Sequence, residues 1–484
     1  MRRFFVFLVS LTLVGSLFSA PAYAAPSFQS TDGGNVDVLI QSIGPTDSLV
    51  GFIQSLGGMV NFQYHNVNVV AASIPADMIP EIVVYPGVEQ IEKDGKVEPG
   101  QITGLSKDSP VPLVVEVESS PDVTLEAVDI STLPEGYSNF LLSGAANVWQ
   151  DTGLGEGTIV AVVDSGTAPN VCLSHAVVGA PGFPDGYNAT ADGVPATSNQ
   201  NYFHGTHVGG VIASNCALTL PETNPVYQAI TAYIPYTTTI PVLGQAPFAQ
   251  LYPVKVFDTT GVGSPTSVIL DGLDHVLTLK NDGLLDIDIV NMSLGGGTLW
   301  DGHDAYQAFV DALTDSHILV VSSASNDGPI PNSVGSPATS FNGISVGALD
   351  YAVSSRIFYE YIGLTYGLGS GQSLVMRPTD ETRVTNFSSR GPLSDGRASP
   401  DIAALGLWNF HAGPNNELRW AGGTSFSAPT VTGAAALLNA YWESMGSETD
   451  PLVLRNVLLA SANPNLVGEP WQDVSEQGFG ALDV

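Results

Sequence analysis

An α/β fold, with a mostly parallel sheet covered by helices on both faces and preceded by a small α+β unit, is what this sequence predicts. Three observations carry the prediction. From Gly157 onward, short β-branched apolar runs alternate with stretches of helical spacing, the pattern of parallel strands joined by covering helices. Between Val36 and Val97 a shorter alternation of the same two kinds forms a compact block. Of 484 residues, 44% are hydrophobic, enough to build a deep core and more than one domain.

In chain order, Arg2 and Arg3 precede an apolar run from Phe4 to Phe18, and Ala22-Tyr23-Ala24 supplies small residues for cleavage. Residues 1–24 therefore read as a secretory signal peptide, and no later segment is apolar for long enough to give a stable membrane span. Export implies a secreted, extracellular protein, released or held at the cell surface. Residues 25–98 hold the small domain. Val36 to Ile40 reads as a strand, Asp47 to Leu56 as a helix closed by Gly57-Gly58, and Val67 to Ile74 as a second strand. Pro75 to Tyr85 reads as a short helix and Val88 to Glu92 as a third strand. Residues 99–136 lose periodicity, gather Ser, Pro, Gly and acidic residues, and read as a linker.

Residues 137–484 form the large domain. Thr158 to Val163 reads as a strand ending at Asp164-Ser165-Gly166, and Ile287 to Met292 as one entering Ser293-Leu294-Gly295-Gly296-Gly297. Ile318 to Val321 reads as a strand leading to Ser325-Asn326. Reactive groups in such sheets gather beyond the carboxyl ends of the strands, where Asp164, Ser293 and Asn326 all fall. His204-Gly205-Thr206-His207 opens an apolar helical run. Two histidines three apart also fit a metal pair, but no third ligand stands at a fitting spacing. Gly422-Gly423-Thr424-Ser425 reads as a glycine turn delivering a serine to a helix start, with Pro429 tolerated early in that helix.

The net charge of −33 comes mainly from scarce Lys and Arg, only 14 in all, and argues against nucleic acid or anionic membrane surfaces as partners. Cys172 and Cys216 are the only cysteines, and in an exported chain a disulfide between them is expected over two buried thiols.

Asp164-Ser165-Gly166, His204-Gly205-Thr206-His207-Val208 and Gly423-Thr424-Ser425 with Pro429, in that order, resemble the subtilisin-like serine proteases (subtilases, peptidase S8). Ser293-Leu294-Gly295-Gly296 and Asn326 between them strengthen the resemblance. It implies a subtilisin-like catalytic domain and a secreted serine endopeptidase. Ser425 would be the nucleophile, His204 the general base and acid, Asp164 its orienting carboxylate, and His207 structural. The Ser425 N–H and the Asn326 amide would form the oxyanion hole. Ser293, Leu294, Gly295, Gly296 and Ser325 would line the cleft, where an extended protein or peptide substrate pairs by strand addition.

The small domain resembles the family's inhibitory propeptide, a ferredoxin-like α+β unit that serves as folding helper and inhibitor. A self-processing zymogen follows, with its maturation site between Pro99 and Tyr137. No cofactor is required for the chemistry. Structural calcium is an expectation from kinship, with no carboxylate-rich loop to mark its ligands.

The chain departs from the family pattern at Ser325, where glycine is common, and at Thr430, where histidine is common. With no charge in the cleft segments, a large, uncharged or aromatic residue is expected before the cut bond, although Ser325 narrows that pocket. Residues 217–247 and 351–385 look inserted and are expected as surface loops near the cleft. The competing classes are a catalytically silent subtilase-fold module that binds peptides or surfaces, and a serine-carboxyl peptidase, which His204 argues against.

Overall fold

The computed structural model describes residues 34–99, 114–115, 124–127, 143–235, 239–296, 302–465 and 474–484. The signal peptide expected over residues 1–24 and much of the expected linker lie outside these residues.

The small domain runs β1 (Asn35–Ser42), α1 (Asp47–Ser55), β2 (Met59–Gln63), β3 (Val69–Pro75), α2 (Ile79–Val83) and β4 (Val88–Lys93). Its sheet has the order β2-β3-β1-β4, antiparallel throughout. The β-α-β-α-β sequence reading missed β2, whose exposed or half-buried residues give no apolar stripe. Period-two geometry explains why β3 is apolar on both faces. Val70, Ala72 and Ile74 pack into the domain's own core with Leu49, Ile53 and Ile82, while Val69 and Ala71 join the core of the large domain.

Next comes β5 (Lys96–Pro99), followed by the large domain: β6 (Ile159–Asp164), α3 (Phe203–Ala213), β7 (Gln250–Lys255), β8 (Ser264–Pro265) and α4 (Thr266–Asn281). It continues with β9 (Ile289–Met292), β10 (Leu294–Gly295), α5 (Ala305–Asp315), β11 (Leu319–Ser323), β12 (Ile344–Asp350), β13 (Ile402–Leu405) and α6 (Thr424–Ser444). The central sheet orders these as β12-β11-β9-β6-β7 with parallel pairing, and β13 also pairs with β12. The first strand, β6, thus has the second on one side and the third on the other. That is a topological switch point, where such sheets open a crevice.

Alternation along β6 assigns its two faces. Val160 and Val162 join the core that holds α3 and α6, while Ala161 and Val163 join the core that holds α4 and α5. Asp164, two residues past Val162, therefore falls on the α3/α6 face.

Two sequence readings are corrected here. The described parts of the expected linker, Val114–Val115 and Thr124–Ala127, are strands paired with the large domain, at Leu418–Arg419 and Cys216–Thr219. The segments read as inserted surface loops carry helices instead, Pro225–Thr231 and Ala352–Thr365, whose apolar residues meet in one core. Ile230, Ile357, Phe358 and Tyr361 pack there, and Phe358 stacks on Trp408 with ring centroids 3.5 Å apart. Burial against a partner, more than intrinsic pattern, makes helices of these Tyr- and Gly-rich stretches.

Candidate active site

Asp164 ends β6 fully buried, and both carboxylate oxygens lie 2.9 Å from Nδ1 of His204 in the first turn of α3. Oδ1 also accepts the Ser165 N–H at 2.7 Å. The imidazole is thereby fixed by its Nδ1 side, while its Nε2 is buried and without a hydrogen-bond partner. A nitrogen held in that way is free to take a proton from a neighbour.

The loop leading into α3 is clamped by Lys255, buried at the end of β7. Its Nζ donates to Asp192 Oδ2 at 2.7 Å, Asn201 Oδ1 at 2.8 Å and Val194 O at 3.2 Å. Burial opposes the charge on Asp192, but hydrogen bonds from Lys255, Val194, Asn188 and Thr190 outweigh it and hold the carboxyl well below its usual range. Cys172 and Cys216 form a disulfide that ties the segment after Asn170 to the strand leaving α3. Among the described residues, no three His, Cys, Asp or Glu side chains gather as a metal site.

His207, three residues on, is fully buried. Burial holds it well below the usual histidine range, and the neighbouring His411, His204 and Arg419 push the same way. Its ring meets Phe426 edge-on, centroids 4.7 Å apart, and Phe426 lies 5.2 Å from His204 on its other contact.

Ser425 is the second residue of α6. Gly423 before it has φ 150°, a turn that side-chain-bearing residues seldom adopt. Pro429 lies four residues on and has no N–H to give the Ser425 carbonyl, so the helix lacks that rung. Ser293 supplies it: its Oγ donates to Ser425 O at 2.7 Å, and Ser425 Oγ donates to Ser293 O at 3.1 Å. Ser293, expected to line the cleft, is fully buried, as Ser425 itself is, and it supports the turn that carries Ser425. The nearby Asn291 Oδ1 accepts from Thr432 Oγ1 of α6 at 2.8 Å, a second tie between β9 and the helix.

Asn326 lies past the end of β11. Its Oδ1 accepts the Thr424 N–H at 2.9 Å and the Thr424 hydroxyl at 3.0 Å, which fixes the amide plane beside the Ser425 turn. Thr424 was not singled out from the sequence; the signal was its place between the glycine turn and the serine.

Leu294 and Gly295 form β10, and β5 lies against them antiparallel, Pro99 opposite Leu294 and Glu98 opposite Gly295. On its other side β5 pairs with β8, Val97 opposite Ser264 and Lys96 opposite Pro265. The segment just after the small domain thus fills a groove between two short edges. The Leu294–Gly295 edge lies in the stretch expected to pair with an extended chain, whereas the Ser264–Pro265 edge was not legible as a strand, since two residues show no period. Gly296 exchanges backbone hydrogen bonds with Ser336, at 3.1 and 3.0 Å, and Ser325 stands beside Gly295 with φ 83°.

The small domain seats on α4 and α5. Asp94 caps α4 by accepting Ser267 N at 3.0 Å and Ser267 Oγ at 2.6 Å, and Glu92 caps α5 by accepting Ala305 N at 2.7 Å. Burial lifts Glu92 to about 8; nearby Asp304 and Asp94 add to the shift, and only the Ala305 N–H opposes it. Asp274 of α4 answers from the other side, accepting the N–H groups of His65 and Asn66, each at 2.8 Å.

Comparison with known proteins agrees with this geometry. Residues 155–480 match the family described as Peptidase_S8, Subtilase family. The chain is 30% identical to pyrolysin of Pyrococcus furiosus over 308 residues, 58% of this chain and 21% of that protein. It is 30% identical to serine protease AprX of Bacillus subtilis over 302 residues, 59% of this chain and 57% of that protein. With subtilisin E of Bacillus subtilis it shares 26% identity over 389 residues, 80% of this chain and 74% of that protein. The chain therefore spans about a fifth of pyrolysin and little more than half of AprX.

Proposed function

The chain belongs to the subtilase family, and on that premise we propose that it is a secreted serine endopeptidase made as a self-processing zymogen. One observation carries the reading: both oxygens of Asp164 hold His204 Nδ1, leaving Nε2 buried and unpartnered beside the helix whose second residue is Ser425. The Ser425 hydroxyl turns from the Ser293 carbonyl to Nε2, gives up its proton, and attacks a substrate carbonyl. Asp164 keeps the imidazole in the tautomer that accepts at Nε2 and stabilises the imidazolium. The Ser425 N–H, in the first turn of α6, and the side-chain amide of Asn326 receive the oxyanion. The same imidazolium then protonates the leaving amine, and water repeats the cycle to release the acyl group.

The zymogen part is supported by β5, which occupies the groove as an added strand. Because Val114–Val115 and Thr124–Ala127 pair with the large domain, the maturation cut belongs between Pro99 and Val114, and residues after it stay with the enzyme. Export rests on the residues 1–24 pattern, and among the described residues no helix is long and apolar enough to cross a membrane. The test is the intact mass of the expressed wild type beside Ser425→Ala. Loss of the small domain in the wild type alone supports the reading; equal masses for both chains refute self-processing and favour a silent binding fold.

A further inference from the structure

We propose that Ser325 restricts the residue on the amino side of the cut bond to a small one, such as glycine, alanine or serine. The proposal rests on the peptidase reading and reverses the expectation of a large or aromatic residue there.

The groove is measured by its own occupant. Glu98 lies opposite Gly295 and Pro99 opposite Leu294, so successive residues of β5 advance towards Ser293, which exchanges hydrogen bonds with Ser425. The next position along the groove is therefore the one abreast of the nucleophile. Its side chain has to enter between the two glycine-lined walls at Gly295 and Gly335. That space is taken. A Cβ placed on Gly295 would lie 2.6 Å from Ser325 Oγ, and one placed on Gly335 would lie 2.7 Å from the same atom. One hydroxyl thus bridges the gap between both walls. The walls are fastened to each other by the paired hydrogen bonds between Gly296 and Ser336, which keeps the gap from widening.

Ser325 is costly where it stands. Its φ of 83° lies in the left-handed region that favours glycine, and its Oγ is buried with no hydrogen-bond partner. A strained, unsatisfied side chain kept at the wall of a groove points to a role in what the groove accepts. An aromatic ring needs the volume this hydroxyl removes, whereas a hydrogen or methyl does not. Val97, within the strand that occupies the groove, is 3% exposed and joins the apolar cluster of Leu294, Ile269 and Leu273, while its neighbours Lys96 and Glu98 point outward.

The test uses peptides of the form Lys-Val-Glu-Pro-X-Gln-Ile-Thr with X as Gly, Ala, Leu or Phe, assayed with the processed wild type and Ser325→Gly. The wild type is expected to favour Gly or Ala over Phe by at least about tenfold in kcat/KM, and Ser325→Gly to raise the Phe-to-Gly ratio by at least about tenfold. Glycine relieves the positive φ, so the variant is expected to fold. A wild type that prefers Phe, or a variant with an unchanged ratio, overturns the proposal. Labelling of Ser425 by a fluorophosphonate separates the two levels. Labelled enzyme with the wrong preference defeats only the pocket assignment; a wild type neither labelled nor active on any peptide defeats the peptidase reading as well.

Discussion

Two surfaces of the large domain receive other parts of the chain, and they are built differently. At α4 and α5 the small domain brings an apolar sheet face, but its edge contacts are carboxylates set on helix N-termini, Asp94 on Ser267 and Glu92 on Ala305. Across the molecule, the helices Pro225–Thr231 and Ala352–Thr365 meet through Ile230, Ile357, Phe358 and Trp408 in a continuous aromatic and aliphatic core. The first surface holds a charge-bearing group that burial makes reluctant to ionise; the second relies on apolar packing. The contrast teaches which junction the chain can open under mild conditions and which it keeps.

The largest effect belongs to the second surface. Phe358→Ala removes the ring stacked on Trp408 and is expected to cost the processed enzyme about 3–5 kcal/mol in denaturant unfolding. A cost below about 1 kcal/mol would mean that this junction is not the permanent one. At the first surface, Asp94→Ala removes one cap, for an expected loss of about 1–2 kcal/mol in retention of the cleaved small domain. Size-exclusion chromatography after processing reads it, and unchanged retention would place the hold in the apolar face alone.

A pH dependence tests the same surface. Glu92 is raised from 4.5 to about 8 when docked, so docking takes up a proton. The stabilisation from a raised carboxyl is fully present below its free value and is lost as pH rises through about 8. The groups facing Glu92 that set this are Asp304 and the Ala305 N–H of α5, with Asp94 on its own segment. The cleaved small domain should co-elute with the enzyme at about pH 5 and separate towards about pH 8, by on the order of a hundredfold change in affinity, and Glu92→Gln should retain it at both. Equal elution of the wild type at both pH values would remove Glu92 from the release.

Much of this was legible because the chemistry sits where the sequence punctuates. Asp164 and Asn326 follow apolar strands and His204 opens a helix, while Ser425 follows two glycines, so strand ends and helix starts marked the positions without three-dimensional information. What escaped were features defined by pairing. The strand β2 is half exposed and borrows its register from β3. The groove edge β8 is two residues long and is defined only by its pairing with β5. The buried role of Ser293 depended on a missing N–H at Pro429, visible in the sequence but meaningful only once the strand end reaches the helix. The helices of residues 217–247 and 351–385 depended on each other, and a composition rich in Tyr, Thr and Gly hid that mutual need.

The rung that Ser293 gives to Ser425 joins positions 132 residues apart. A ribosome that has finished Ser293 still has those residues to add before the serine turn is braced. The fragment that carries Asp164 and His204 is thus made long before the serine turn that completes the site. By the time the serine is in place, the small domain and β5 have had most of the synthesis to fold and dock. On the proposed reading, a chain ordered in this way meets its inhibitory segment before the nucleophile is in place.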